Sequence, residues 1–159
     1  MNFWRIAACE RVGAALDYFV CVHLDPTEES ARRLFQRGID GPVSMLNLLR
    51  FRETADYSTS PELAPAEPIS GREAYDRYLR HTLPFLGSSG GSVQLYAAGG
   101  SFFVGPIDER WDLAMVIRQA SVADFFAFAS NTAYLAGVGH RTAALEDSRL
   151  LPLVEEPVP

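Results

Sequence analysis

Asn47, Tyr78, Trp111, Asp112, Arg118, His140 and Arg141 are the side chains through which this chain could do chemistry, because each is a polar or aromatic group attached to an apolar stretch. A cavity walled by aromatics, with a few convergent polar groups, is the usual form of a small-molecule site. In such a site His140 would serve as a general base near neutral pH. Arg141 would hold a carboxylate or enolate oxygen, Asn47 would orient a carbonyl, and Tyr78, Trp111, Asp112 and Arg118 would bind the rest of the ligand. Each group also has an ordinary structural reading: a backbone partner for Asn47, a neighbouring arginine for Asp112, a place in the core for Trp111. No HExxH or Walker spacing is present, and His23, His81 and His140 are too scattered to form a metal cluster. Neither a metal nor a cofactor is expected.

The stretch that must position Asn47 is Pro42–Arg52, Pro-Val-Ser-Met-Leu-Asn-Leu-Leu-Arg-Phe-Arg. An apolar run of this length reads as a strand covered on both faces. An amide in its middle needs a hydrogen-bond partner, protein or ligand, or costs roughly 1–3 kcal/mol.

Bulk properties narrow the classes. A chain of 159 residues with 48% apolar and 21% charged residues fits one globular domain with a real core. A net charge of −6 and the absence of any basic stripe argue against nucleic acid. Cys9 and Cys21 are too few for a disulfide framework and read as reduced, mostly buried thiols. Glu10, Arg11 and Asp17 interrupt the apolar N-terminus, so it lacks a signal-peptide core. No segment approaches the roughly 20 apolar residues of a membrane span. A cytoplasmic protein is the expectation.

Along the chain, residues 1–17 form an extension whose apolar positions lie near helical spacing, suggesting a short amphipathic helix or a mobile segment. Tyr18–Leu24 reads as a strand. Asp25 or Thr27 caps the next helix, which Gly38 ends. After the Pro42–Arg52 strand, Glu53–Ile69 is a loop, a flap or a floppy insertion, with Tyr57 the one residue in its first half that could anchor it. Ser70 and Glu73 make a capping box. The helix behind it carries Tyr75, Tyr78, Leu79, Thr82, Leu83 and Leu86 on one face, and Pro84 should kink or thin its last turn.

Val93–Tyr96 and Phe102–Val104 are short β runs, forming a hairpin or one strand broken at glycine. Trp111–Gln119 is a strand, and Ser121 starts a helix that Asn131 breaks. Ala133–Leu145 is helical, Arg149–Val154 is the last strand, and residues 155–159 are a tail. Residues 18–154 thus make one α+β domain of ferredoxin-like, split βαβ order, with an antiparallel sheet. Its strands are apolar on both faces, so something must cover the face without helices. A second copy packed sheet to sheet is the economical partner.

Pro42–Arg52, Ser70-Gly71 with Tyr75 and Tyr78, Phe103-Val104-Gly105, Trp111-Asp112, and Arg141 followed by Ala143–Leu150 together resemble the family called domain of unknown function 1330, from about Thr27 to Val154. That family belongs to the dimeric α/β-barrel superfamily. The resemblance implies a ferredoxin-like protomer and a barrel built from two sheets, with no agreed reaction. The superfamily includes cofactor-free monooxygenases, isomerases and cyclases as well as plain ligand sensors. Asn47 and Arg141 both fall in the family-like motifs and are the favoured pair. Three readings stay open: a homodimeric enzyme acting by proton transfer on a small oxygenated metabolite, a non-catalytic ligand-binding dimer, and a structural dimer with a filled interior.

Overall fold

Val43–Phe51 (β3) is the centre of a four-stranded antiparallel sheet. The other strands are Ser92–Ser101 (β4), Arg110–Gln119 (β5) and Leu145–Leu153 (β6), in the order β4-β5-β3-β6. This computed structural model describes residues 8–12 and 18–159, with side chains from Val22 onward. Ala8–Val12 (β1) pairs antiparallel with Tyr18–Val22 (β2) as a separate two-stranded sheet. The helix suggested for residues 1–17 is therefore corrected over Ala8–Val12, where backbone pairing wins over near-helical spacing. The rest of that segment, and the side chains of Cys9 and Cys21, lie outside the described residues.

The helices are Glu28–Gln36 (α1), Gly71–Ser88 (α2), Val122–Ala129 (α3), Thr132–Leu135 (α4) and Val138–Ala144 (α5). Their starts follow local chemistry. Thr27 and Ser30 form a reciprocal capping box on α1, and Ser70 and Glu73 do the same on α2. Ser121 accepts from Asp124 N at the start of α3, and Asn131 ends that helix by capping the next. Gly38, at φ 58°, supplies the left-handed turn after α1.

Alternation on β3 decides which face is covered. Val43, Met45, Asn47 and Leu49 are buried, and the residues between them are only half-buried. Val43 and Met45 pack with Leu34 of α1 and Val122 of α3. Leu49 packs with Leu113 and Met115 of β5, Tyr75 and Tyr78 of α2, and Ala144. On the other face the register sets Leu46 beside Val116 and Leu151, and Leu48 beside Ala114 and Arg149. No described helix lies on these residues, and Leu151 is half exposed. The α+β ferredoxin-like expectation is met, with the strands in the order β4-β5-β3-β6.

Several boundaries differ from expectation. β6 begins at Leu145, not Arg149, because α5 runs into it without a loop, and a bulge at Arg50/Phe51 brings Phe51 opposite Leu145. β4 is one strand through Ser101 that carries Gly99 and Gly100 inside it; its bulge lies between Val93 and Leu95. Phe102–Val104 is outside the sheet, in the turn to β5. Pro84 sits inside α2, which continues to Ser88. The stretch expected as one helix over Ala133–Leu145 is two, parted at Ala136-Gly137, where a Cβ on Gly137 would strike the His81 ring.

Candidate functional site

The seven candidate residues do not converge on one cavity. Asn47 is buried on the helix-covered face, where its Nδ2 donates to the Met45 carbonyl at 3.0 Å. Tyr78 is also buried there, its hydroxyl 3.0 Å from that of Tyr134. Burial pushes the Tyr134 phenol well up, helped by Tyr78 beside it. Arg118 lies at the far end of β5 from Trp111, roughly 23 Å away along the strand, with Glu155 the nearest acid at 4.0 Å.

Arg141 works as a tie. Its guanidinium donates to the Leu24 carbonyl and, at 3.2 Å, to Ser148 Oγ, with Asp25 Oδ1 at 3.9 Å. It thereby fastens the connection leaving β2 to the start of β6. Asn47 and Arg141 share no hydrogen-bond partner among the described residues. His140 Nδ1 is 2.8 Å from the Tyr57 hydroxyl, the two rings meeting edge to face. Burial, then the charge of Arg77 and the nearness of His81, lower the His140 pKa from its ordinary value. That pair pins the 53–69 loop to α5, and Asp56 N donates to the Ala143 carbonyl beside it at 2.9 Å. Tyr57 is an anchor, as expected.

A second group forms around Trp111 and Asp112. Asp112 Oδ2 accepts from Phe51 N at 2.7 Å, and its other oxygen accepts from Arg110. Trp111 is buried, and its Nε1 donates to Glu109 at 3.0 Å. The Arg50 and Arg149 guanidiniums stand over its ring at 5.9 and 5.1 Å, within cation–π range. Both arginines are on the uncovered face by register, Arg50 opposite Asp147 and Arg149 opposite Leu48. Asp147 Oδ1 accepts from Arg149 at 2.7 Å. Arg50 Nε is buried and 3.3 Å from Glu146 Oε2, an ion pair whose angle does not make a hydrogen bond. Arg50 and Arg149 are thus paired with the Glu146 and Asp147 carboxylates beside an aromatic ring.

Grooves on the described surface follow α2. One of about 380 Å³ lies between α2 and β4, lined by Leu79, Leu83, Val93, Tyr96 and Met115 with Asp76 and Arg80 on its rim. The other, about 250 Å³, runs along Ile69, Glu73, Asp76, Arg77 and Arg80. Neither touches the seven candidates. Gly87-Ser88-Ser89-Gly90-Gly91 has the letter spacing of a nucleophile elbow, yet it ends a helix and precedes a strand, the reverse of that motif. Ser89 Oγ there donates to the Leu86 carbonyl at 2.8 Å. Among the described residues no group of three His, Cys, Asp or Glu side chains could hold a metal, and no helix is long and apolar enough to cross a membrane.

No family model and no curated protein matches the chain. Solved structures do. The methylated RPA0582 protein is similar at 35% identity and a TM-score of 0.75, over 86% of this chain and 96% of that one. RPA0582 from Rhodopseudomonas palustris, a protein of unknown function, is similar at 36% identity and a TM-score of 0.72, over 86% and 99%. The chain belongs to the RPA0582 family. A dimeric protein of unknown function and ferredoxin-like fold from Bacteroides fragilis is more distant, at 12% identity and a TM-score of 0.43, over 70% of this chain and 94% of that one.

For this member of the RPA0582 family, sequence reasoning passed over Arg50, Asp147 and Arg149. A signal existed: they are charged residues on otherwise apolar strands. It could be used only with the register of β6, and beginning that strand at Arg149 hid it.

Proposed function

We propose that the protein is a homodimer of the dimeric α/β-barrel type, a member of the domain of unknown function 1330 group, that holds a small oxygenated, partly apolar ligand between its two sheet faces. The domain limits read from the sequence, 18–154 between flanks 1–17 and 155–159, belong to this reading. So do sheet-to-sheet packing and the absence of a cofactor. The observation that carries it is the pair Arg50 and Arg149, which stand over the Trp111 ring and lie by register at one end of an uncovered apolar face formed by Leu46, Leu48, Val116 and Leu151. Apolar walls ending in two guanidiniums, paired in the chain with Glu146 and Asp147, suit a carboxylate or enolate on a hydrocarbon body that takes over part of that pairing.

Binding is favoured over turnover, because Asn47 lies on the helix-covered face and Arg141 is tied to the Leu24 carbonyl and Ser148. The catalytic reading, with His140 as base and Arg141 beside it, draws its support from the lowered pKa of His140.

Native mass spectrometry of the protein with a panel of small aryl and alkyl carboxylates tests it. The reading expects one carboxylate retained per protomer or per dimer, lost in Arg50→Gln/Arg149→Gln. It also expects Leu48→Lys, which puts a charge on the face, to lower the native mass. No retained ligand together with an unchanged mass in Leu48→Lys sinks it.

A further inference from the structure

The two edges of the four-stranded sheet are unlike. β6 carries Glu146, Asp147 and Arg149 and has Pro152 within it. The segment after β2 lies against its start, with His23 N donating to Asp147 Oδ1 at 2.8 Å and Ser148 Oγ donating to the His23 carbonyl. Charge, proline and a covering segment are the ordinary means by which an edge strand is kept from pairing. β4 has none of them. Its sequence, Ser-Val-Gln-Leu-Tyr-Ala-Ala-Gly-Gly-Ser, holds no charge and no proline, and all of it but Ala97 is exposed.

Exposed apolar side chains gather on the same hairpin. Val93, Leu95, Tyr96 and Phe102 are each at least 40% exposed. In the turn beyond, Phe103 is 104%, Val104 86% and Ile107 98% exposed.

We propose that β4 pairs antiparallel with the β4 of a second copy across a two-fold axis, joining two four-stranded sheets into one. A second copy is the occupant that the edges select. With β6 closed, a free β4 cannot propagate sheets β4 to β6, whereas a strand that pairs with itself closes after two copies. An uncharged strand brings no like charges together when it does so. The area is adequate. At roughly 150–200 Å² for a large side chain, full burial of these seven would remove about 800 Å² per copy, the share of a standard interface. The direction is also favourable. Antiparallel pairing carries the turn at 102–107 past the start of the second copy's β4, toward the end of its α2. There the 380 Å³ groove lined by Leu79, Leu83, Val93, Tyr96 and Met115 offers an apolar seat.

This surface is the sheet's edge and goes beyond the face-to-face dimer proposed above. Either contact alone makes a dimer, and both together make a dihedral tetramer.

Neighbouring residues of a strand direct their N–H groups to opposite sides. Of Ala97→Pro and Ala98→Pro, one therefore removes a bond to β5 and the other blocks only the outer edge. Circular dichroism identifies the variant that keeps its fold, and light scattering gives its native mass. The folded variant is expected at half the wild-type mass. A folded proline variant at the wild-type mass, or a monomeric wild type, overturns the pairing. If neither variant folds, hydrogen exchange on the unaltered protein decides. Slow exchange at consecutive β4 amides supports it, and fast exchange at every second amide overturns it. Leu48→Lys keeps the two contacts apart: it acts on the face dimer and is expected to leave β4 exchange unchanged.

Discussion

The Tyr57 hydroxyl stands 2.8 Å from His140 Nδ1, and that contact fastens a long loop to the helix leading into β6. Burial raises the Tyr57 pKa, so the phenol stays protonated where it meets His140 Nδ1. Gly139 adds to the fit, since a Cβ there would stand 2.7 Å from the Leu63 side chain. The 53–69 loop is thus tied to α5 at Tyr57 and Asp56.

Tyr57→Phe keeps the ring and removes the donor. It should cost about 1 kcal/mol of stability in urea unfolding, the ordinary net worth of one hydrogen bond. Hydrogen exchange should quicken at Asp56 N, which the tie holds against Ala143. A stability change without that local quickening would mean that Tyr57 acts through the core and not through the tie.

The same pair predicts a pH dependence. Folding lowers the His140 pKa below 6.5. As pH falls through about 6.5, the unfolded chain takes up a proton there that the folded chain does not, so the unfolded state gains. The contribution is therefore complete above that value, shrinks toward the folded pKa, and is level below it. His140→Asn leaves an acceptor for Tyr57 but nothing to titrate, and it should flatten this part of the stability profile. An equal slope in wild type and variant would mean that His140 is not its source.

Gly71 tests the tight join between α2 and the end of β3. A Cβ at Gly71 would stand 2.5 Å from the Ala144 carbonyl oxygen and 2.8 Å from Arg52 N, both backbone atoms that cannot swing aside. Gly71→Ala should destabilise the fold by about 3 kcal/mol, the upper part of the overpacking range. Ser70→Ala, one residue earlier, should cost only about 1 kcal/mol by removing the cap. Thermal melts of the two variants should keep that order.

What the sequence made legible was local. The capping residues Thr27, Ser70 and Ser121 depend on neighbours three positions away, and the Pro42–Arg52 strand depends on its own run of apolar residues. What it hid was register. Asn47 needed a partner, but that it would be the Met45 carbonyl on its own strand follows from a side-chain rotamer that no pattern specifies. Arg50, Trp111 and Arg149 come from three strands far apart in the chain, and they meet only because β3 pairs with both β5 and β6. That the seven candidates lie apart was hidden for the same reason: their residue types could be read, while their faces could not be assigned.

Trp111 separates a binding role from a packing role at that junction. Trp111→Ala removes a buried aromatic and should cost about 3–5 kcal/mol, whatever its function. Arg149→Gln removes a charge from the Asp147 pair at a half-exposed position, so its stability cost should stay under about 1 kcal/mol. If the arginines over Trp111 serve a ligand, Arg149→Gln should retain the wild-type melt and lose carboxylate retention in native mass spectrometry. If they serve packing alone, Arg149→Gln should move the melt in step with Trp111→Ala and show no ligand in either form. The two arginines share one ring, so the effects of Arg50→Gln and Arg149→Gln on binding should not add in the double variant.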